Sequence, residues 1–348
     1  VINKHRHIIC IIALFIACLF FLIVDVLVGS VHIPLSTIKA VALGQEVNTG
    51  IEYILFNFRM PKAITAICCG AGLSVAGLLM QTMFRNPLAG PYVLGISSGA
   101  SLGVALFILA AHVVSGSIVG IFSGMLGNWS LVIFAIAGSS LIMLLVILLS
   151  YKVRDSVSLL IVGIMFGSIT GAVVNVLQYF SDPVSVQSFV IWTFGSLSGV
   201  TWDKLYILVP LVSIGLLLAM YLLKPLNALL LGENQARLIG INVKRLRLLI
   251  IISTCIMAGT LTAFTGPIAF IGIAVPHMVR SIFKTSDHKI LIPGVILVGS
   301  ILMLICDIIS QLPGMDSTLP INSVTAIFGA PVVIWVIIKS RNVKASFN

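Results

Sequence analysis

Residues 224–247 read KPLNALLLGENQARLIGINVKRLR. They sit between two apolar runs, 205–223 and 248–264, each within the ~17–25 residues that a helical bilayer crossing takes. The stretch itself is short, amphipathic and basic at both ends. Pro225 and Gly232 punctuate it, Glu233 follows the glycine, and Gly240 closes a second helical-looking turn. A polar helix-turn-helix held between two membrane-length runs implies a polytopic helical membrane protein. Its one well-formed polar segment, about 225–247, needs a partner outside the bilayer.

The rest of the chain agrees. Of its 348 residues, 59% are hydrophobic and 9% charged, against about 25% charged in a soluble domain. So few charges do not cover a water-facing surface, and no long hydrophilic stretch exists to build a soluble catalytic domain. Apolar runs of helical length select an all-α membrane fold over a barrel. The sequence predicts about ten spans in a single domain over 1–348, near 8–28, 64–83, 93–114, 131–149, 157–179, 205–223, 248–264, 266–283, 290–309 and 323–338. The eighth is interrupted by Pro267, Gly272 and Pro276 and reads as short or broken. The first follows KHRH. It is long for a signal h-region, and no small-residue cleavage site follows, so it reads as a retained span. Between spans the sequence predicts a helix on 31–44 opened by Pro34, a glycine- and serine-rich loop at 115–129 and a polar turn at 151–155. It also predicts a short non-spanning helix within 180–203, with Trp192 and Trp202 at the interface.

The net charge of +10 does not indicate nucleic acid, whose binders gather charge on one soluble face. Here it is scattered through short loops, as the positive-inside rule expects. With the amino terminus in the cytoplasm, all 20 Lys and Arg fall on that side except Lys39, Arg59, Lys62 and Lys204. Both termini and 225–247 are then cytoplasmic. Arg59 and Lys62 flank Pro61 at the outer mouth of the second span, where either interfacial snorkelling or an acidic external partner accounts for them. Asp25 and Asp307 lie near span ends. No ionisable group sits at mid-span, which disfavours an ion-coupled secondary transporter, and no convergent set of polar groups at one depth marks a membrane enzyme. The six cysteines fall in apolar segments without metal-ligand spacing and read as small apolar fillers.

On the fifth span, Gly163, Gly167, Gly171, Asn175 and Gln178 recur at spacings of four and three and share one helical face. The stripe reads either as a close helix–helix seam or as one wall of a polar path, and both can hold on one helix. The two amides favour a path, because amides facing hydrocarbon are expensive.

At 59–100, RMPKAITAICCGAGLSVAGLLMQTMFRNPLAGPYVLGISSGA, the chain resembles the FecCD-type permeases of the iron-siderophore, haem and vitamin B12 ABC importers. Gln81, the run 85–89 (RNPLA) and the run 94–100 (LGISSGA) carry the likeness. It extends over nearly the whole chain through Gly232, Ala236 and Gly240, residues 266–272 (GPIAFIG), Pro276-His277, Arg280, Asp287-His288-Lys289, Asp307 and Gly329-Ala330-Pro331.

The resemblance implies about ten spans, as the hydropathy does, and work as a pair of permease subunits, either identical or sister chains. It further implies two cytoplasmic ABC ATPases and an extracytoplasmic substrate-binding protein in a bacterial cytoplasmic membrane. ATPase coupling falls on Leu231, Gly232, Glu233, Ala236, Arg237, Ile239 and Gly240, and binding-protein docking on Arg59 and Lys62. The path falls mainly on the fifth and tenth spans. No phosphate-binding G-x-x-x-x-G-K-[ST] run is present, so this chain is expected to bind no cofactor itself, with ATP and Mg2+ used by the partner ATPases. The chain departs from the family pattern in three places. Gln311 stands where a third external cation is usual, Thr318 where a glutamate is usual, and Ile239 in the usual leucine position of the cytoplasmic motif. The expected cargo is a ferric siderophore, with haem or vitamin B12 as the alternative. His277, Asp287 and His288 are expected to make helix-end contacts rather than to bind metal.

Overall fold

The computed structural model describes residues 2–29, 49–114, 124–150, 156–311 and 318–345. Among these the regular elements are helices. In chain order they are α1 (Ile2–Leu27), α2 (Thr49–Ile54), a π-helical turn (Leu55–Arg59), α3 (Met60–Phe84), α4 (Ile96–Val114), α5 (Gly124–Ser150), α6 (Ser156–Phe180) and α7 (Pro183–Thr193). Then follow α8 (Trp202–Tyr221), α9 (Leu223–Leu231), α10 (Glu233–Leu238), α11 (Val243–Thr265), α12 (Ile271–Phe283), α13 (His288–Ser310) and α14 (Ile321–Ala345). By length and composition, 7 helices among the described residues are able to cross a membrane, joined by shorter apolar helices at Ile96–Leu109, Ile271–Phe283 and Ile321–Trp335. The expected helix on 31–44, the turn at 151–155 and much of the loop at 115–129 lie outside the described residues.

The bundle is assembled around α3, which packs against α13, α11, α12 and α8. Its sequence explains this. Ala63, Ala66, Gly70, Ala71, Gly72, Ser74, Ala76 and Gly77 are all buried, and small residues let backbones approach where lipid offers no hydrophobic drive. A Cβ on Gly70 would lie 2.1 Å from the carbonyl oxygen of Gly299 in α13, and one on Gly77 would lie 1.7 Å from that of Gly272 in α12. These contacts are therefore backbone against backbone. A second seam joins α4 to α5 in the same way, with Gly103 set against the Phe134 carbonyl. Helix α1 lies at the periphery, mainly on α13, and exposes Ile9, Phe15, Ile16 and Phe20.

Three elements differ from the expectation. The second span does not start near 64, because the helix is continuous from Thr49 to Phe84. Pro61 lacks an N–H and its ring crowds the preceding turn, which ordinarily ends a helix. Here the backbone widens just ahead of it, with the Met60 N–H reaching the Leu55 carbonyl, and this π-turn carries the helix through. The third span starts at Ile96 rather than 93, because 85–95 is tightly folded. The Asn86 side chain accepts from Leu88 N–H at 2.9 Å, and Gly95 has φ +80°. The fourth starts at Gly124, ahead of 131.

Two other expectations match what is seen. The short helix within 180–203 is α7, capped by Asp182 accepting from Ser185 N–H at 2.9 Å. Its Trp192 donates its indole N–H to the Ala263 carbonyl at 3.0 Å, and Trp202 donates its own, in an exposed contact, to the Phe56 carbonyl at 2.8 Å. The run 266–283 is broken. Its first residues are non-helical and only Ile271–Phe283 is helix. Irregular backbone inside an apolar bundle must find internal partners. Ala269 N–H donates to Asn322 Oδ1 at 3.1 Å, and Ser196 N–H to the Thr265 carbonyl at 2.9 Å.

Candidate functional site

The segment 225–247 forms two short helices set at one end of the bundle. Helix α9 ends at Gly232, whose φ of +124° suits glycine. Helix α10 ends in a Schellman turn in which Gly240 N–H donates to Arg237 O and Ile241 N–H to Ala236 O, both at 3.0 Å. That turn needs Gly240 at its φ of +86°. Ala228, Ala236 and Val243 form a small buried cluster that fixes the two helices to each other. Glu233 bridges Arg247 across the turn and Arg237 at 3.8 Å. Arg85, at the end of α3, donates to the Leu229 carbonyl at 2.8 Å. The outer side is apolar and open: Leu231 is 65% exposed, Ile239 62% and Leu238 86%. The pair thus presents an exposed apolar tip on a frame fixed by its own buried cluster and ion pairs. Of the residues expected here, Gly232, Glu233, Ala236 and Gly240 shape the pair, whereas Leu231 and Ile239 are presented outward. Leu238, the most exposed of the three, was missed because it reads as part of the amphipathic face.

Arg59 and Lys62, expected at an open mouth, are both buried. Arg59 donates to the carbonyls of Val28 and, at 3.1 Å, Val26, so a cation closes the C-terminal turn of α1, where helix carbonyls favour positive charge. Lys62 Nζ pairs with Asp307 Oδ2 at 3.1 Å. Gln311 donates from one nitrogen to Asp307 at 3.2 Å and Asp25 at 3.3 Å. Asp25 therefore faces protein. The five side chains tie the ends of α1, α3 and α13 into one cluster at the end opposite α9.

The α6 stripe divides along its length. A Cβ at Gly163 would meet the Val93 carbonyl at 2.8 Å, and one at Gly167 the Ser98 hydroxyl at 3.3 Å, while Gly171 has nothing within 4 Å. Close packing thus gives way to an open groove of about 260 Å3, lined by α4, α6 and α7 and including Ser97, Ser98, Ser101, Thr170, Asn175 and Gln178. Its described lining holds hydroxyls, amides and apolar groups and no charged side chain. It is open along one side, as a wall of a wider passage would be.

The histidines point inward at the α9 end. His277 Nε2 contacts the Pro87 carbonyl at 2.8 Å, and His288 is buried against Thr82 and Asn227. Asp287 is half-exposed beside them. Burial pushes its carboxyl up, but hydrogen bonds from Lys289 N–H and Asn227, with the Lys289 and His288 charges, outweigh this and hold it below the usual carboxylate range. Asn227 gave no signal in the sequence, because an amide on a polar-looking helix reads as solvated.

The profile of the FecCD transport family matches residues 15–339. The vitamin B12 import system permease protein BtuC of Citrobacter koseri is 34% identical over 290 residues, covering 83% of this chain and 84% of that protein. BtuC of Salmonella paratyphi A is 33% identical over 300 residues, covering 86% and 88%. A solved inward-facing ABC transporter, assigned to the metal-chelate type, superposes with a TM-score of 0.79 at 26% identity, covering 95% of this chain and 99% of that one.

Proposed function

The chain belongs to the FecCD transport family and is an ABC importer permease, and from that premise we propose that its cargo is a ferric siderophore. We propose further that it works as one of a pair of permease subunits, with two ATPases on the cytoplasmic side and a substrate-binding protein outside. The observation that carries the coupling role is the α9–α10 pair. Its exposed apolar tip at Leu231, Leu238 and Ile239 sits on a frame hydrogen-bonded to α3. Seated in an ATPase, such a pair turns nucleotide-driven closure into a tilt of the helices it joins. ATP and Mg2+ belong to those partners. Both termini are assigned to the cytoplasm, on the side of α9.

The α4–α6–α7 groove supports the cargo assignment. A wall of hydroxyls and amides without charge offers many weak contacts to a bulky hydrophilic chelate and no ligand that competes for its metal. Gly171, Asn175 and Gln178 are assigned to the path, with Gly163 and Gly167 to the packing that shapes it. Arg59 and Lys62 keep a docking role by partner exchange: acidic groups on the binding protein compete with the α1 carbonyls and Asp307 for the two cations, and set its register. The second reading is vitamin B12, the substrate in the names of the BtuC relatives.

Reconstituted vesicles carrying the permease, its ATPases and its binding protein, with ATP inside, decide between these. Offered ferric hydroxamates, catecholates, carboxylates, haem and cobalamin, they are expected to accumulate one ferric chelate class, and to stop without ATP. Accumulation of cobalamin alone selects the second reading. Uptake that persists without an ATPase overturns the importer mechanism.

A further inference from the structure

Helix α9 is fastened to the spanning helices through an unusually directional set of hydrogen bonds. Asn227 donates from Nδ2 to Asp287 Oδ1 at 2.6 Å and accepts at Oδ1 from the backbone N–H of His288 at 2.9 Å. That second contact fixes which way the amide points, because a backbone N–H only donates. His288 Nδ1 lies 2.7 Å from the same oxygen, which only accepts, so Nδ1 carries a proton. His288 Nε2 lies 2.8 Å from Thr82 Oγ1, whose hydroxyl can also turn to the Leu78 carbonyl at 2.9 Å. His288 is 1% exposed and Thr82 4%, so water does not compete for these partners, and both ring nitrogens are satisfied as burial requires.

The same contacts complete the start of α13. The first N–H groups of a helix have no partner within it. Asp287 accepts from Lys289 N–H at 2.9 Å, and the N–H of His288 is taken by Asn227, a residue of another helix. Movement of α9 along α13 therefore strips the His288 N–H of its partner, while Asp287 keeps its own cap on Lys289. Apolar contacts between helices can slide, but a cap and a buried imidazole with assigned donors cannot follow such a slide without losing partners.

We propose that Asn227 and His288 pass displacement of the α9–α10 pair into α13, and that Thr82 carries it on from His288 to α3, beside the separate contact of Arg85 with the Leu229 carbonyl. They act as positioning residues of the transport cycle, and the proposal rests on the permease reading above. From His288 the continuous α13 runs 23 residues to the opposite end, where Asp307 holds Lys62 of α3. The link thus joins the two ends of the bundle through a single helix.

The test uses the assembled complex, permease with ATPases and binding protein, in vesicles loaded with ATP. The probes are a radioiron-labelled ferric hydroxamate and, in a second set, cobalamin. Asn227→Leu and Thr82→Val are compared singly and together, with Thr82→Ser as the conservative control. The readout is substrate accumulated per ATP hydrolysed, which loss of folded protein does not move because both quantities fall together. Each apolar variant is expected to lower the ratio about tenfold, with Thr82→Ser within about twofold of the parent. The double variant is expected to be no worse than Asn227→Leu alone, because Thr82 lies downstream of Asn227 on the route to α3. An unchanged ratio in Thr82→Val, or losses that multiply in the double variant, overturns the link and leaves the permease reading standing. If Asn227→Leu does not assemble, the Thr82 pair decides. Parent accumulation that ignores ATP overturns both the link and the reading it rests on.

Discussion

Lys62 shows how far one residue's meaning depends on a partner remote in sequence. Beside Pro61 it reads as a surface charge, since lysine is almost never buried unpaired. The carboxylate that brings it inside, Asp307, lies on another helix, and no local pattern connects the two. The pair makes a sharp prediction. Asp307→Ala removes the ion-pair partner of a buried ammonium and is expected to cost about 3–5 kcal/mol, whereas Lys62→Met with Asp307→Leu removes the pair together and is expected to restore most of that loss. Denaturant unfolding of the detergent-solubilised protein, followed by tryptophan fluorescence, measures both. Asp287 gives a second prediction. Its carboxyl is held below the usual range, so the stability it contributes is present above the ~3.9 of a free aspartate and is lost as pH falls through the depressed value. The α9 anchor is therefore expected to be intact at neutral pH and to loosen only in strong acid. Hydrogen exchange at Asn227 and Leu229 across an acid titration reads this out, and Asp287→Asn removes the acid step.

At the scale of elements, hydropathy located the apolar runs well because a bilayer dictates their length. It failed where a helix continues through residues that ordinarily stop it. Glu52, Arg59 and Pro61 all argue for a loop, and the π-turn that reconciles them with a helix has no signature beyond the proline itself. The close-packing glycines were legible as a class but not in their pairing. Gly77→Ala puts a methyl 1.7 Å from the Gly272 carbonyl, and no side chain can rotate away, because the obstacle is backbone. The expected outcome is loss of a monodisperse peak on size exclusion, while Gly171→Ala, with nothing within 4 Å, leaves the profile unchanged. Equal behaviour of the two variants refutes the backbone seam. The α9–α10 pair was legible in outline from Gly232 and Gly240, whose places in the turns follow from the helical pattern. Its outward tip was not, because the sequence does not say which side of an amphipathic helix finds a partner within the chain.

For the molecule as a whole, charge asymmetry is the coarsest signal and yields the coarsest prediction. With α9–α10, the start of α13 and both termini assigned to the cytoplasm, a single cysteine placed at exposed Leu238 in a cysteine-free background is expected to resist an impermeant maleimide in intact cells and to react in inverted vesicles. The reverse pattern overturns the orientation. The groove was half legible. Asn175 and Gln178 announced a polar face, but Ser97, Ser98 and Ser101 come from another helix, and only the fold brings the two together. Whole-molecule packing also explains why Gly163 and Gln178, one stripe in sequence, differ in surroundings: Gly163 is set against the backbone at Val93 and Leu94, whereas Gln178 lines the groove that α6 shares with α4 and α7.

The backbone seam sets a division between a unit that moves whole and parts that adapt. Gly70, Gly77, Gly272 and Gly299 meet without intervening side chains, so α3, α12 and α13 have no rotamers with which to re-register against one another, and displacement passed into them carries them as one block past the helices packed around them. The α6 wall of the groove, Gly171 with Asn175 and Gln178, shares no residue with that seam. With the groove assigned to the cargo path, substitution along its wall leaves the contacts of the block untouched, so lining and frame are free to change independently. The chain's likeness both to vitamin B12 import permeases and to a transporter of the metal-chelate type is the pattern such independence allows.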